Sequence, residues 1–399
     1  MRYPYRYHLF YLTAIDNLES ILERGILSRH KVNSLGIQHT EIADSVIIQQ
    51  RQNVGNSLGL DLSRYVNLYF QPRNPMLYRI IREKGIENVC IIQVRDEIIE
   101  KDGLIITDGN AASFQTKFYS KDSLSRSEFY HLLKQISSQV EMEFWNTEDS
   151  SKRRIMAECL VPEEVAPAYI DTVFVASTQA HLKVRERGLD NVVPEPRLFF
   201  LPYWKYHLEG TQLTLVRGDM FFSRMQTLTI SVNTRGVMGK GLASRAKYQF
   251  PHVYVFYQDL CKKGLLKMGQ PYLYRLDYSL ASILSEEPNS LAPDPNPTWF
   301  LLFPTKNHWR EKADLRGISQ GLDWIVQNYQ KEGIRSLAVP ALGAGLGWLE
   351  WYEVGPLIVS KLSHLSIPVE VYLPAEKEIP QEQLTPEFLL GRGLRKSPL

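Results

Sequence analysis

Short apolar runs alternate with amphipathic stretches along the chain, and the rhythm of that alternation changes near its middle. In the first half, "YVNLYF" (65–70), "NVCIIQV" (88–94), "MAECLV" (156–161) and "DTVFVAS" (171–177) are β-branched or aromatic and bounded by turn residues, the pattern of short strands. "DNLESILERGIL" (16–27) puts Leu18, Ile21 and Leu22 on one helical face, with Asp16 placed to cap its start and Gly25 to end it. An α+β unit is predicted here. The second half is more regular. Strand-like "QLTLVRG", "TLTISVN", "WFLLFPT", "RSLAVPA" and "VEVYLPA" alternate with helix-like "GLASRAKYQF", "ISQGLDWIVQNYQ" and "VGPLIVSKLSHL". That order predicts an α/β unit, a mostly parallel sheet covered by helices.

Three prolines and a run of aromatics in "VVPEPRLFFLPYWKYHLEG" (192–210) suggest a linker lying on the surface between the halves. The expected domains are 1–205 and 206–385, with a tail at 386–399. "SEEPNSLAPDPNP" (285–297) and the chain from Thr385 onward read as disordered segments.

Composition adds bounds. A chain of 399 residues exceeds one ordinary core, and 44% hydrophobic with 23% charged residues is globular. No apolar stretch approaches a membrane span, and "MRYPYRYHLFYLT" lacks the apolar core of a signal peptide, so a cytoplasmic location and no membrane partner are expected. Cys90, Cys159 and Cys261 show no metal-ligand spacing, so no metal is expected, and Cys159 reads as a buried strand cysteine before a nucleophile. Residues 1–203 carry 24 Lys and Arg against 26 Asp and Glu. A nucleic-acid contact in the first half must therefore rest on a local patch.

Candidate chemistry in the second half starts at "TISVNTRGVMGKGLA" (229–243), an apolar run that opens into Gly236, Gly239 and Gly241. A strand ending in such a turn before a helix leaves backbone N–H groups for an anion. It is no Walker loop, because Gly236 and Gly239 bracket two residues and Gly241 follows Lys240. "LVRGD" (215–219) ends a strand in Asp219, an acceptor suited to an adenine amino group. Asn233 would stand beside a ribose and pyrophosphate. "VPALGAGLGW" (339–348) brings Gly343 and Gly345 to the same crevice. On these residues, 211–375 resembles the macrodomain family of ADP-ribose binders. "FPTK" followed by "HW" resembles the DarG branch, which implies that Lys306, past an apolar strand, strips ADP-ribose from DNA bases. Related hydrolases outside that branch carry an aspartate where this chain has Gly347, and Glu350 is the nearest acid.

In the first half, "RRIMAECLVP" (153–162) puts Glu158 inside an apolar strand, where a carboxylate is costly to bury without a partner or a task; Arg154 is one candidate partner. Breaking the glycosidic bond of NAD⁺ creates an oxocarbenium ion, which needs such a carboxylate and nearby cations. Arg51, in "IIQQRQNVG", is the basic candidate. With "FYLTAIDNLESILERGIL", "RYVNLYFQPRNPMLY" (64–78) and "TDGNAAS" (107–113), residues 1–205 resemble the DarT family. The resemblance implies a mono-ADP-ribosyltransferase that consumes NAD⁺ as co-substrate and modifies a base, thymidine, in single-stranded DNA. It implies Thr13, Asn17 and Tyr69 at the NAD⁺ pocket and Arg51 and Glu158 as the catalytic pair, with Glu158 the candidate to take the acceptor proton. DNA contact is expected on Arg73, Arg79 and Arg154, within a run that also holds Arg64, Arg82 and Lys84 among Tyr65, Tyr69, Phe70 and Tyr78; the competing reading makes those aromatics core. The whole is expected to be a toxin–antitoxin or phage-defence fusion whose partners are single-stranded DNA, ADP-ribosylated DNA and the neighbouring domain. Alternatives are a protein or RNA acceptor, or a second domain that binds ADP-ribose and restrains the first.

Overall fold

The computed structural model describes residues 7–141, 144–186, 191–286, 297–375 and 377–391. The chain divides into two compact units, Met1–Phe200 with Ala281–Pro293, and Leu201–Leu280 with Asp294–Leu399.

The first unit is built on an eight-stranded sheet. Its spatial order is Val192–Pro194, Ile170–Val175, Val89–Val94, Leu9–Ala14, Tyr65–Tyr69, Glu158–Pro162, Ile105–Thr107 and Phe118–Ser120. Only the first pair is parallel. The core takes the inward positions of these strands, Leu68, Cys90, Ile92, Cys159 and Val161 among them. Leu9–Ala14 and Tyr65–Tyr69 share one registered pair, Phe10 with Tyr69. Residues from both strands line a single cavity.

All four strands expected in this half are present, within a residue or two at each end. The first helix runs Leu18–Arg24 behind a 3₁₀ turn, Ile15–Asn17, so Asn17 and not Asp16 occupies the cap position. Gly25 ends it at φ 88°, and a Cβ there would meet the Val165 carbonyl at 2.4 Å. Sequence patterning missed the helices Ser45–Leu58 and Pro75–Glu83. The first has only Val54 and Gly55 buried, so it carries no apolar stripe to read.

The second unit holds a seven-stranded sheet, Trp204–His207, Leu213–Arg217, Val369–Tyr372, Leu337–Pro340, Thr227–Asn233, Trp299–Lys306 and Tyr272–Arg275. The inner five are parallel and the two edges antiparallel. Phe300, Leu301, Leu302 and Phe303 are all fully buried in one strand, as befits a parallel sheet covered on both faces.

Two expectations about irregular segments are corrected. The 192–210 stretch is not a surface linker: Val192–Pro194 pairs in the first sheet, Trp204–His207 pairs in the second, and Phe199 is fully buried. The unit boundary at Phe200 and Leu201 therefore falls ahead of residue 205. The tail is ordered as far as Gly391, because Thr385 caps the helix Pro386–Leu390 and Leu389 packs into the second core; residues 392–399 lie outside the described residues. Within 285–297, Ser285 and Glu286 are buried in the first unit, while 287–296 lie outside the described residues.

Candidate functional site

Each unit carries a site. In the first, Glu158 opens its strand completely buried, and Arg51 reaches it from the Ser45–Leu58 helix. The guanidinium Nη1 donates to both carboxylate oxygens, at 3.1 and 2.9 Å, and the Ala111 backbone N–H donates to Oε1 at 2.8 Å. The partner of Glu158 is thus Arg51, not Arg154, whose guanidinium bonds the Ser150 hydroxyl one turn back. The loop that presents Ala111 is itself fastened. Thr107 Oγ1 donates to the Gly109 carbonyl at 2.7 Å and accepts from the Glu158 N–H at 2.9 Å, and Arg153 pairs with Asp108 at 2.6 Å.

The cavity in front of this pair is lined by Thr13, Asn17, Arg51, Tyr69, Met76, Asn110 and Glu286 among others. Asn17 organises one wall: its amide donates to Thr13 Oγ1 at 3.1 Å and to the Thr40 carbonyl at 2.9 Å, and its oxygen accepts the Thr40 N–H at 2.8 Å. Tyr69 is 3% exposed, its hydroxyl donates to Met76 Sδ, and burial with the nearby Glu158 pushes its pKa well up, so it stands as a neutral apolar wall. Thr13, Asn17, Arg51 and Tyr69 therefore line one cavity, and Glu158 lies buried behind it, bonded to Arg51.

Part of the expected DNA patch is interior instead. Arg79 is 1% exposed, pairs with Glu83 at 2.5 Å and donates to the Ile42 carbonyl at 3.0 Å, so it is a structural cation and not a phosphate ligand. Phe70 and Tyr78 are core. Arg73 lies with its guanidinium 5.2 Å from the Phe200 ring, and Arg64 pairs with Glu163 at 2.9 Å. Cys159 is fully buried with its thiol pushed up to about 12 by burial, which leaves it inert.

In the second unit, the parallel strands bring Asn233 and Lys306 into register across a bulge. Asn233 holds the glycine turn: its oxygen accepts the Arg235 N–H at 2.9 Å, its amide donates to the Val237 carbonyl at 2.6 Å, and the buried Tyr257 hydroxyl donates to its backbone oxygen at 2.7 Å. Gly236 and Gly241 have φ of 80° and 60°, conformations that favour glycine. The helix Gly241–Gln249 then begins with no side-chain cap, so its first N–H groups face the turn. Asp219 accepts the Phe221 N–H at 3.1 Å and pairs with Arg245 at 2.7 Å.

Gly343 and Gly345 also have positive φ. A Cβ at Gly343 would lie within 3.0 Å of Leu349, Ile318 and Ala313, so this glycine shapes the loop. Gly239 differs, with only Val237 Cγ1 near its Cβ position, at 3.9 Å. Lys306 Nζ donates to the Leu346 carbonyl at 3.2 Å and sits 5.3 Å from the Trp348 ring centroid. Partial burial holds its ammonium below the ordinary lysine range, and Glu311 offsets this in part. Glu350 is occupied elsewhere, capping the helix Trp351–Leu362 and pairing with Lys377 at 2.6 Å. Leu346 and Trp348, both exposed, were missed from sequence; an exposed aromatic directly after a glycine run was the available signal.

A buried, arginine-gripped carboxylate behind a cavity and a glycine-looped parallel sheet edge with a lysine define a pairing of a nucleotide-sugar transferase with an ADP-ribose-binding α/β module. The comparisons with known proteins agree. Residues 10–198 match the family model of DarT, described as an ssDNA thymidine ADP-ribosyltransferase. A DNA ADP-ribosyl transferase–DNA ADP-ribosyl glycohydrolase fusion protein of Thermosipho africanus is 50% identical over 394 residues, 97% of this chain and 99% of that one. The solved Thermosipho africanus DarTG in complex with ADP-ribose superposes with a TM-score of 0.88 over 96% of this chain and 99% of that chain. A DNA ADP-ribosyl glycohydrolase of Thermus aquaticus is 35% identical over 165 residues, 41% of this chain and 42% of that protein. The chain belongs to the family of fused DarT–DarG proteins.

Substitution separates the two roles of glycine in the cradle. Gly239→Leu should leave the melting temperature within about 2 °C, since the site is open, yet abolish ADP-ribose binding measured by calorimetry. Gly343→Leu should unfold the loop and lower the melting temperature clearly.

Proposed function

We infer that this protein attaches ADP-ribose from NAD⁺ to thymidine in single-stranded DNA with its first unit and removes it with its second. The observation that carries the reading is the 50% identity spanning both halves, with the Arg51–Glu158 pair and the Lys306 cradle both assembled. In the first unit, Glu158 and the adjoining cavity hold the nicotinamide ribose. The carboxylate stabilises the positive charge that grows at C1″ as neutral nicotinamide leaves, and Arg51 keeps it in place. Thr13 and Asn17 line the same ribose pocket, and Tyr69 with Met76 gives the acceptor base an apolar wall.

In the second unit, the N–H groups of the Gly236–Gly241 turn and the 343–345 loop hold the diphosphate. Lys306 is placed to attack the anomeric carbon of the DNA-linked ribose as a neutral amine. Its lowered pKa raises the neutral fraction near pH 7, so removal should accelerate with pH and level off below the ordinary lysine range. A pH series on pre-modified oligonucleotide checks this. The acceptor is tested by incubating the protein with NAD⁺ and matched DNA strands that contain or lack thymidine, a matching RNA, and a protein mixture. Mass spectrometry should find one ADP-ribose on the thymidine-containing DNA alone; labelling of RNA or protein in its place would overturn the assignment.

A further inference from the structure

Large apolar side chains face solvent around Lys306 in the second unit. Leu346, whose carbonyl the lysine binds, is 52% exposed, and Trp348, whose ring lies against the ammonium, is 58% exposed. Trp309, three residues beyond the lysine, is 46% exposed. Single exposed apolar residues need no explanation, but a group of them at a reactive centre does.

Two loops are fastened to hold this group in place. The chain from Lys306 turns back on its own strand, closed by the Asp314 N–H on the Thr305 carbonyl at 2.8 Å. The Ala313 N–H donates to the Gly347 carbonyl at 2.9 Å, so the loop that carries Trp309 is bonded to the loop that carries Trp348. A Cβ at Gly347 would lie 3.1 Å from Ala313 Cβ, which is why the approach can be so close. Leu346 in turn reaches the first glycine turn, where a Cβ at Gly241 would meet its Cδ1 at 2.8 Å.

Holding the rings outward is unfavourable for the protein alone. Trp348 sits at φ 60°, a left-handed conformation that a bulky residue rarely adopts, and its exposed ring gains little burial in return. The Trp309 ring stacks on His308 with centroids 3.8 Å apart, and the Arg310 guanidinium stands 6.0 Å from its centroid. Charge follows the same loop. Residues 306–316 carry four Lys and Arg against two Asp and Glu, and Arg310, Lys312 and Arg316 are exposed and enter no ion pair among the described residues.

We propose that Trp348 and Trp309 are stacking faces for bases of the single strand that carries the ADP-ribose, with Arg310 and Lys312 meeting its phosphates. This rests on the erasing reading given above for Lys306. The modified base is joined to the anomeric carbon that the lysine attacks, so the strand has to pass over the residues around Nζ, and the Trp348 ring centroid is 5.3 Å from that atom. Aromatic faces with interleaved cations suit a single strand, because every base offers a π face and every linkage a negative charge. An ADP-ribose linked to a protein side chain brings no base to stack there. The glycine loops grip the diphosphate whatever the acceptor, so the aromatic pair is what favours nucleic acid.

The test uses the full chain without NAD⁺ and a pre-modified single strand of about ten nucleotides. Trp348→Ala and Trp309→Ala should each raise KM for removal by about 10-fold, with kcat and the inhibition constant of free ADP-ribose within about twofold of wild type. Trp348→Phe keeps a ring and should recover most of the loss. Arg310→Ala should weaken strand binding and flatten its salt dependence. An unchanged KM in the Trp348→Ala protein, an equal loss of affinity for free ADP-ribose, or a fall in kcat alone would overturn the assignment, the last by making Trp348 a positioning residue for Lys306. A wild-type protein that removes no ADP-ribose from the strand would sink the erasing reading itself, and the proposal with it.

Discussion

Glu158→Gln should lower DNA modification by about 100- to 1,000-fold while leaving NAD⁺ binding within a few-fold of wild type. Glutamine keeps the shape of the side chain and one acceptor for the Ala111 N–H, but it removes the charge that faces the developing cation at C1″. An interaction that strengthens only as the glycosidic bond breaks appears in kcat and not in ground-state affinity. The stability of the variants should diverge. Arg51 is 19% exposed and its guanidinium has no other ion-pair partner among the described residues, so Glu158→Ala strands a largely buried cation. That should cost about 3–5 kcal/mol, visible as a lower melting temperature, whereas Gln retains a neutral acceptor and should cost less. Calorimetry of the variants beside nicotinamide-release kinetics checks both halves of the expectation. An undiminished rate in a folded Glu158→Gln protein removes Glu158 from the chemistry.

Lys306→Ala should have an equally large effect in the opposite direction on the amount of modified DNA. The lysine stands at the carboxyl end of its strand, in register with Asn233 and bonded to the Leu346 carbonyl at the rim of the second glycine loop. Removing it takes away the amine without disturbing the core, since the side chain is half in solvent and the strand is held by its neighbours on both sides. Modified DNA should then accumulate, and growth of a host expressing the variant should slow or stop. The double variant Lys306→Ala with Glu158→Gln should grow normally, because nothing is written. If the lysine variant is harmless while Gly239→Leu is toxic, the second unit acts by binding and not by cleavage.

The second unit was the more legible from sequence because its parallel strands are buried on both faces and read as unbroken apolar runs ending in glycines; "WFLLFPTK" announces both the strand and the lysine at its end. In the first unit, Glu158 was visible as a carboxylate inside such a run. Its pairing with Arg51 came only from the family resemblance and not from local pattern, since the two are 107 residues apart and Arg51 lies on a helix that buries almost nothing. Arg79 shows the reverse failure. Its place in a run of arginines and tyrosines looks like a phosphate-binding strip, and only the fold reveals that Glu83, one helical turn on, consumes its charge in the interior. Glu286 was read as part of a proline-rich, disordered insertion, 285–297. Local composition carries no sign that Ser285 and Glu286 are buried in the first unit, far from it along the chain.

The central claim, that one chain both writes and erases the same mark, is tested most directly in a single tube. A thymidine-bearing single strand is incubated with the full-length protein and limiting NAD⁺, and its mass is followed over time. The account predicts that one ADP-ribose appears, that it disappears again once NAD⁺ is exhausted, and that with Lys306→Ala it appears and stays. A strand that gains no ADP-ribose, or a mark that the wild-type protein leaves in place as stably as the lysine variant does, would contradict it.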